Sequence, residues 1–209
     1  GGGNDSPRPA SQRAAALVLT VAMLTTLAAP AFADIWHIEN GDITVKAGDT
    51  GNDVTQKGET TYGDTDTIIT NQNKDIASSN TVTIETNDKN DKVEVTLKDV
   101  NINVGSDSGS ALTSNGDVTL TLKGDNSLTG GNGGSGISSN GSLTITGGEN
   151  DSLTAKGGSG RSGIFSSGGV TISGGTVNAT GGSSGSDSGD GIHSGSLTMK
   201  GGTVNANGG

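Results

Sequence analysis

The chain has 209 residues, of which 38 are glycine and none is cysteine, and its formal net charge at pH 7 is −10. Because a nucleic-acid surface needs clustered lysine and arginine, this charge excludes nucleic acid as a partner. Only 28% of the residues are hydrophobic, and glycine costs about 1 kcal/mol at each interior position of a helix. The chain is therefore either a disordered glycine-rich segment or an architecture that places glycine at fixed corners.

Residues 1–33 have the three parts of a secretory signal peptide. Arg8 and Arg13 precede an apolar run over residues 14–29, and residues 31–33 form a small-x-small cleavage motif. The run is short for a membrane span, and no second run follows. We therefore predict an exported protein, secreted or at the cell surface, whose mature chain begins near Asp34 and has no membrane span. An uncleaved N-terminal anchor is the alternative.

Residues 34–80 are predicted to form an N-terminal cap and the first strands. Short apolar segments at Ile35–Ile38, Ile43–Val45 and Thr67–Thr70 are joined by polar loops. A solenoid needs a cap over its open end. The only tryptophan and the only tyrosine, Trp36 and Tyr62, lie in this segment, so we expect both to contribute to the cap.

Residues 81–209 are predicted to form stacked coils. The alternating strands Thr81–Glu85, Val93–Leu97 and Val100–Val104 come first, and four glycine-bracketed rows follow. The first apolar residue of the central strand in each row recurs in steps of 25, 27 and 27 residues. These residues are Val118, Leu143, Val170 and Leu197.

A period in the twenties is typical of a solenoid, and each row contains three short strands. The sequence therefore predicts an all-β fold, a right-handed parallel β-helix of about 25–27 residues per coil with an N-terminal β cap. Neighbouring coils would stack about 4.8 Å apart, the ordinary strand spacing. Glycines are expected at tight corners, often with positive φ. The pattern still runs at Gly209, so we expect a piece truncated at its C-terminus.

The order of these elements resembles one group of proteins. Its components here are the tryptophan-containing strand Ile35–Ile38, the strands within Asn80–Thr86 and Val95–Ile102, and repeats of the form GI-x-S, LTI-x-GG and V-x-A-x-GG. Together they resemble secreted carbohydrate-binding-domain proteins on the surface of Gram-positive gut and soil bacteria. The resemblance implies a right-handed parallel β-helix that binds acidic polysaccharide and carries calcium.

Acidic and amide side chains cluster at one predicted corner of the coils. In the expected register, Asp125 and Asn126 lie above Asn150 and Asp151, with Glu149 just before them. Four or five oxygen-bearing side chains at one corner suit a hard cation, so calcium is the expected cofactor. The alternative is that Asp and Asn are present because they form turns well.

A ladder of outward threonines is the predicted ligand surface, with two acidic residues of the longest loop between rows. A flat hydroxylated face suits a polysaccharide or ice, and the alternative is β-propensity with hydrogen bonds between stacked hydroxyls. The residues are Thr119, Thr144, Thr171 and Thr198, together with Asp187 and Asp190.

Many β-helices are polysaccharide lyases or hydrolases, which need paired carboxylates or a base with a cationic partner. The four rows contain Arg161 and His193 near one corner, with no carboxylate pair to complete them. We therefore predict a non-catalytic monomeric module that binds a polysaccharide or cell-wall glycan with calcium. The alternatives are a structural adhesin or stalk array without a ligand, and an ice-binding solenoid.

Overall fold

The computed structural model describes residues 33–88 and 90–209, so the predicted leader lies outside it apart from Ala33. The described chain folds as an all-β parallel solenoid of about 5 turns, which confirms the predicted fold class. One turn of 3-10 helix, Ile38–Asn40, follows the first strand. The strands are β1 (Ala33–His37), β2 (Ile43–Ala47), β3 (Asn52–Gln56), β4 (Glu59–Asp64), β5 (Asp66–Thr70), β6 (Val82–Glu85), β7 (Lys92–Lys98), β8 (Asn101–Asn103), β9 (Leu112–Asn115), β10 (Asp117–Lys123), β11 (Asp125–Thr129), β12 (Ile137–Asn140), β13 (Leu143–Gly147), β14 (Ser152–Lys156), β15 (Ile164–Ile172), β16 (Thr176–Thr180), β17 (Ser183–Ser184), β18 (Asp187–Ser188), β19 (Ile192–Met199) and β20 (Thr203–Asn207).

Parallel strands of successive coils form three faces. Face A contains β2, β6, β9 and β12, and face B contains β1, β5, β7, β10 and β13. The long strands β15 and β19 run around the corner between these two faces, so β15 pairs with β12 at its start and with β13 at its end. Face C contains β8, β11, β14, β16 and β20. The three strands predicted for each row are therefore present, and in the last two rows the first two strands are continuous.

The core is a narrow column of aliphatic side chains, because alternate residues of each strand point inward. On face B, Leu120 pairs in register with Ile145, which pairs with Ile172, and all three are fully buried. Face C contributes Leu153 and Val177 in the same way. Each such side chain contributes roughly 1.5–3 kcal/mol of burial free energy. Stacking one or two of them per face in every coil lets a glycine-rich chain fold.

The cap differs from the prediction for residues 34–80. The segments predicted as polar loops include β3, which pairs antiparallel with β2, and β4, which pairs antiparallel with β3. Trp36 Nε1 on face B donates a hydrogen bond of 3.0 Å to Oδ2 of the buried Asp64 at the end of β4. This hydrogen bond connects the antiparallel meander of β2, β3 and β4 to β1, the first strand of face B. Trp36 packs against the core as expected, whereas Tyr62 is 74% exposed and does not.

A second inward column consists of serines at the end of face A. Ser114, Ser139 and Ser166 are stacked in register and almost fully buried. Ser166 Oγ donates to the Gly141 carbonyl at 2.9 Å. The hydroxyl of Ser114 has no hydrogen-bond partner among the described residues. Such an orphaned buried hydroxyl costs about 1–3 kcal/mol.

The Ser114→Ala variant is therefore expected to be more stable than the wild type by about 1 kcal/mol, because it removes an unpaired hydroxyl from the core. Urea denaturation followed by circular dichroism measures the change. Ser166→Ala is the matched control, and we expect it to be destabilising because it removes a hydroxyl that makes a hydrogen bond. Equal losses in the two variants would show that Ser114 is satisfied.

Candidate functional site

A groove lies at the corner where the chain passes from face C to face A. Its cavity has a volume of ≈ 330 Å³, and its polar and aromatic lining includes Ser110, Ser135, Ser138, Arg161, Phe165 and His193. These residues belong to the same corner in four successive coils, so the groove runs along the axis of the β-helix. We refer to it as the corner groove.

Two aromatic rings form one wall of the corner groove. Phe165 on β15 and His193 on β19 are partners in the strand register. Their ring centroids are 5.4 Å apart and their planes differ by 19°, so the rings are stacked. His193 Nδ1 also lies 3.0 Å from Asp190 Oδ2, which holds the imidazole in place. Phe165 remains 39% exposed and so offers an aromatic surface to a ligand.

Arg161 is the arginine of this groove and the only one in the described part of the chain. Its backbone is fixed, because its N–H donates to Gly158 O at 2.9 Å and its carbonyl accepts from Gly182 N at 2.8 Å. Its side chain is exposed, and the described residues provide no partner for the guanidinium. A free guanidinium can bind a carboxylate, sulfate or phosphate with two parallel hydrogen bonds.

The residues predicted to bind calcium occupy another corner, between faces B and C, and the predicted register was wrong. Asp125 pairs with Ser152 and Asn126 with Leu153, so neither lies above Asn150 or Asp151. The turn that contains Glu149 is two residues longer than its counterpart in the preceding coil, which shifts the alignment by that amount.

The side chains of β11 at this corner are used within the fold. Asn126 is 2% exposed, and its Oδ1 accepts from Val100 N at 2.8 Å. Its Nδ2 donates to the carbonyls of Lys123 and Ser152, each at 3.2 Å. Asp125 Oδ1 accepts from Ser152 Oγ at 2.8 Å. These contacts agree with the alternative that the residues serve the turn.

Asp151 has the same structural role. Its Oδ2 accepts from Gly148 N at 2.8 Å and its Oδ1 from Gly124 N at 2.9 Å. Both oxygens of Asp151 thus bond backbone N–H groups, and the structure does not bring Asp125 and Asn126 above Asn150 and Asp151 as the calcium prediction assumed. Within residues 33–88 and 90–209, no three or more His, Cys, Asp or Glu side chains are grouped so that they could hold a metal.

The hydrogen bonds from Gly148 and Gly124 hold the pKa of Asp151 below its ordinary value of 3.8. A carboxyl whose pKa is lower in the folded state stabilises the fold above its unfolded pKa, and this stability disappears as the pH falls through the folded pKa. We therefore expect the stability difference between wild type and Asp151→Asn to be full at pH 5–7 and to shrink below pH 3.8. Urea denaturation over a pH series measures it. Glu149→Gln, on the same turn and exposed, is the control, and a pH-independent difference would contradict this role.

The threonine ladder is present in the predicted register. Thr119 pairs with Thr144, Thr144 with Thr171 and Thr171 with Thr198, on the outer side of face B. The first three are half-buried and Thr198 is exposed. Glu94 continues the row in the preceding coil. The four threonines thus form one row of hydroxyl side chains, on a different face from the aromatic pair.

The two acidic residues of the long loop, Asp187 and Asp190, make different contacts. Asp187 lies on the short antiparallel hairpin of β17 and β18, paired with Ser184 and exposed. This hairpin was not predicted. Asp190 contacts His193 at the edge of the corner groove. Asp187 also lies near the groove, since a Cβ at the lining residue Gly160 would be 3.3 Å from Asp187 Cβ.

By its fold, the described chain is a parallel β-helix, and the corner groove lies on its side. No family model, curated protein or solved structure matches this chain. In the described residues, we find no helix of sufficient length and apolarity to cross a membrane.

Proposed function

We propose that the protein is a non-catalytic module that binds polysaccharide in the corner groove. The observation that carries the proposal is that the exposed, stacked Phe165 and the guanidinium of Arg161, which has no partner among the described residues, line the same groove. Sugar rings present an apolar C–H face that packs on aromatic rings, while their hydroxyl and acidic groups need polar partners. The groove supplies both kinds of contact at one corner.

The length and direction of the groove support a polymer as the ligand. Four successive coils contribute lining residues to it. Ser110 Oγ accepts a 3.0 Å hydrogen bond from Ser135 N, so its own O–H is available to donate to a ligand. Hydroxyl side chains repeated along the coils can contact successive parts of a chain.

We propose binding without catalysis because of the groove's chemistry. Its lining side chains are hydroxyls, Arg161, Phe165 and His193, whereas glycoside hydrolysis uses two carboxylates on either side of the bond. The nearby Asp190 is paired with His193. A secreted or cell-surface monomer with a polysaccharide or cell-wall glycan as partner remains part of this proposal.

Two other functions are compatible with the fold. A structural adhesin or stalk array would use the coils only as a spacer and would bind no glycan. Ice binding is favoured by the in-register rows of Thr119, Thr144 and Thr171, with a second row of Thr121 and Thr146 beside them. A thermal-hysteresis measurement tests ice binding directly, and a glycan array separates the spacer from the binding module.

Phe165→Ala is expected to weaken polysaccharide binding tenfold or more, because it removes the aromatic platform; tenfold corresponds to about 1.4 kcal/mol. A glycan array first identifies retained polysaccharides, and isothermal titration calorimetry then compares the variants. Arg161→Ala tests the charged contact, and Thr171→Ala on face B is the matched control that should leave affinity unchanged. Failure of the wild type to retain any glycan, or loss of binding only in Thr171→Ala, would contradict the proposed function.

A further inference from the structure

We infer that the corner groove receives one flat ring of the ligand in a slot between Ser138 and Phe165, stacked on the free face of the Phe165 ring. This inference rests on the proposed function and specifies how the groove recognises its ligand. The chemical class is a pyranose with a continuous apolar C–H face, carrying hydroxyl or anionic substituents at its rim.

The direction of the aromatic stack locates the slot. Phe165 and His193 are register partners on neighbouring strands, and their rings lie nearly parallel. The stack therefore runs along the axis, and His193 covers the face of Phe165 on its own side. The opposite face looks toward the register partner of Phe165 in the preceding coil, which is Ser138.

Ser138 leaves this face open because its side chain is small. It is half-buried on the outer side of β12, and both it and Phe165 line the same ≈ 330 Å³ cavity. On the other side of Phe165, in the following coil, the register partner is His193, which carries a ring. The ladder of outward side chains thus contains two rings and then a gap, and a ligand ring stacked there would extend the ladder by one step at offset-stacking distance.

Polar groups surround the slot where the rim of such a ring would lie. Ser110, Ser135 and Arg161 line the same cavity. The hydroxyl of Ser110 can donate, and the exposed guanidinium of Arg161 can bind hydroxyls or an acidic group. A sugar ring has an apolar face and a polar edge, whereas a purely apolar ligand has no polar edge. The slot therefore suits a sugar ring better than a purely apolar ligand.

Filling the slot with a side chain tests the inference. Ser138→Tyr and Ser138→His each place a ring beside Phe165, and the histidine repeats the residue already tolerated at position 193. Both should fold, because Ser138 points outward, and melting temperature checks this. We expect both to weaken binding at least tenfold, whereas Ser138→Ala, which removes one groove hydroxyl but leaves the slot open, should lose less affinity than either ring variant.

The probes are methyl galactoside, methyl glucoside and methyl galacturonide, observed by saturation-transfer NMR, with oligosaccharides of the same sugars for affinity. The expected result is saturation concentrated on the protons of one sugar face, lost in Phe165→Ala and in both ring variants. Full binding by the folded ring variants, with loss in Phe165→Ala, would overturn the slot while the proposed function stands. No binding of any probe or oligosaccharide by the wild type would overturn both.

Discussion

Gly158→Ala is expected to destabilise the β-helix by about 3 kcal/mol or more, because a methyl group at this corner has no space. A Cβ there would overlap the carbonyl oxygen of Gly131 and lie 2.8 Å from its carbonyl carbon. The obstacle is backbone of the preceding coil, so no side-chain rotation relieves it. Gly182 stands in the same relation to Gly158, so the corner is a ladder of glycines that sets how closely the coils approach. Urea denaturation measures the loss.

Gly105→Ala is the matched control for this prediction. Gly105 has a φ of +76° and open space around its Cβ position, so alanine there costs only the left-handed conformation, about 1–2 kcal/mol. Gly158 is not among the positive-φ glycines. If backbone conformation rather than close packing were the reason for the paired glycines, Gly105→Ala would be the more destabilising of the two variants.

Leu120→Ala is expected to destabilise the protein by about 2–5 kcal/mol, because it opens a cavity in the middle of the aliphatic column. Leu120 is fully buried and lies between Val95 and Ile145 in the register of face B. Adjacent coils cannot close the gap, since the backbone ladders on both sides fix their spacing. Thermal and urea denaturation both report the change.

The outward neighbour Thr119 provides the control for the column. Thr119→Ala alters the same strand on its outer side, where the residue is half-buried, and it should cost no more than about 1 kcal/mol, the span of β-propensity. A loss for Leu120→Ala as small as that for Thr119→Ala would show that the column does not carry the stability of the fold.

Most of the coil architecture could be predicted from the sequence because the repeat is direct. Val118, Leu143, Val170 and Leu197 are partners in consecutive strands of face B, as their spacing predicts. A column that holds one or two aliphatic residues per face imposes a strict period, so the register follows from alignment of the rows.

The cap could not be predicted in the same way. β3 and β4 alternate only weakly, since Val54 is the fully buried aliphatic residue of β3 and β4 buries Asp64 instead. The meander is held by long-range bonds of polar side chains, such as Asn52 Nδ2 to Thr67 Oγ1 at 3.0 Å. Contacts of this kind have no period, so a pattern in the sequence does not indicate them.

The role of the glycines was only partly predicted. In the segment from Gly168 to Gly182, only Gly175 has a positive φ. Three other glycines of this segment would meet backbone atoms of the preceding coil if they carried a Cβ, namely Gly168, Gly174 and Gly182. Close approach between coils, which depends on the tertiary stacking, therefore explains more of these glycines than turn conformation does.

The candidate site shows a similar division. The alignment of the rows already placed Phe165 and His193 at the same position after a Gly-Ile pair, so their stacking was accessible from the sequence. The register at Asp125 was not, because the extra two residues before Ser152 can be inserted at several points of a glycine-rich turn. The exposure of the Arg161 side chain could be recognised only once the surrounding loops were in place.

A chemical-shift map of the uniformly labelled protein during titration with a retained polysaccharide fragment shows where the ligand binds. If it binds in the corner groove, the largest perturbations fall on the lining residues Ser135, Ser138, Arg161, Phe165 and His193. Perturbations concentrated on the threonine ladder of face B, with the corner groove unchanged, would contradict binding in the corner groove.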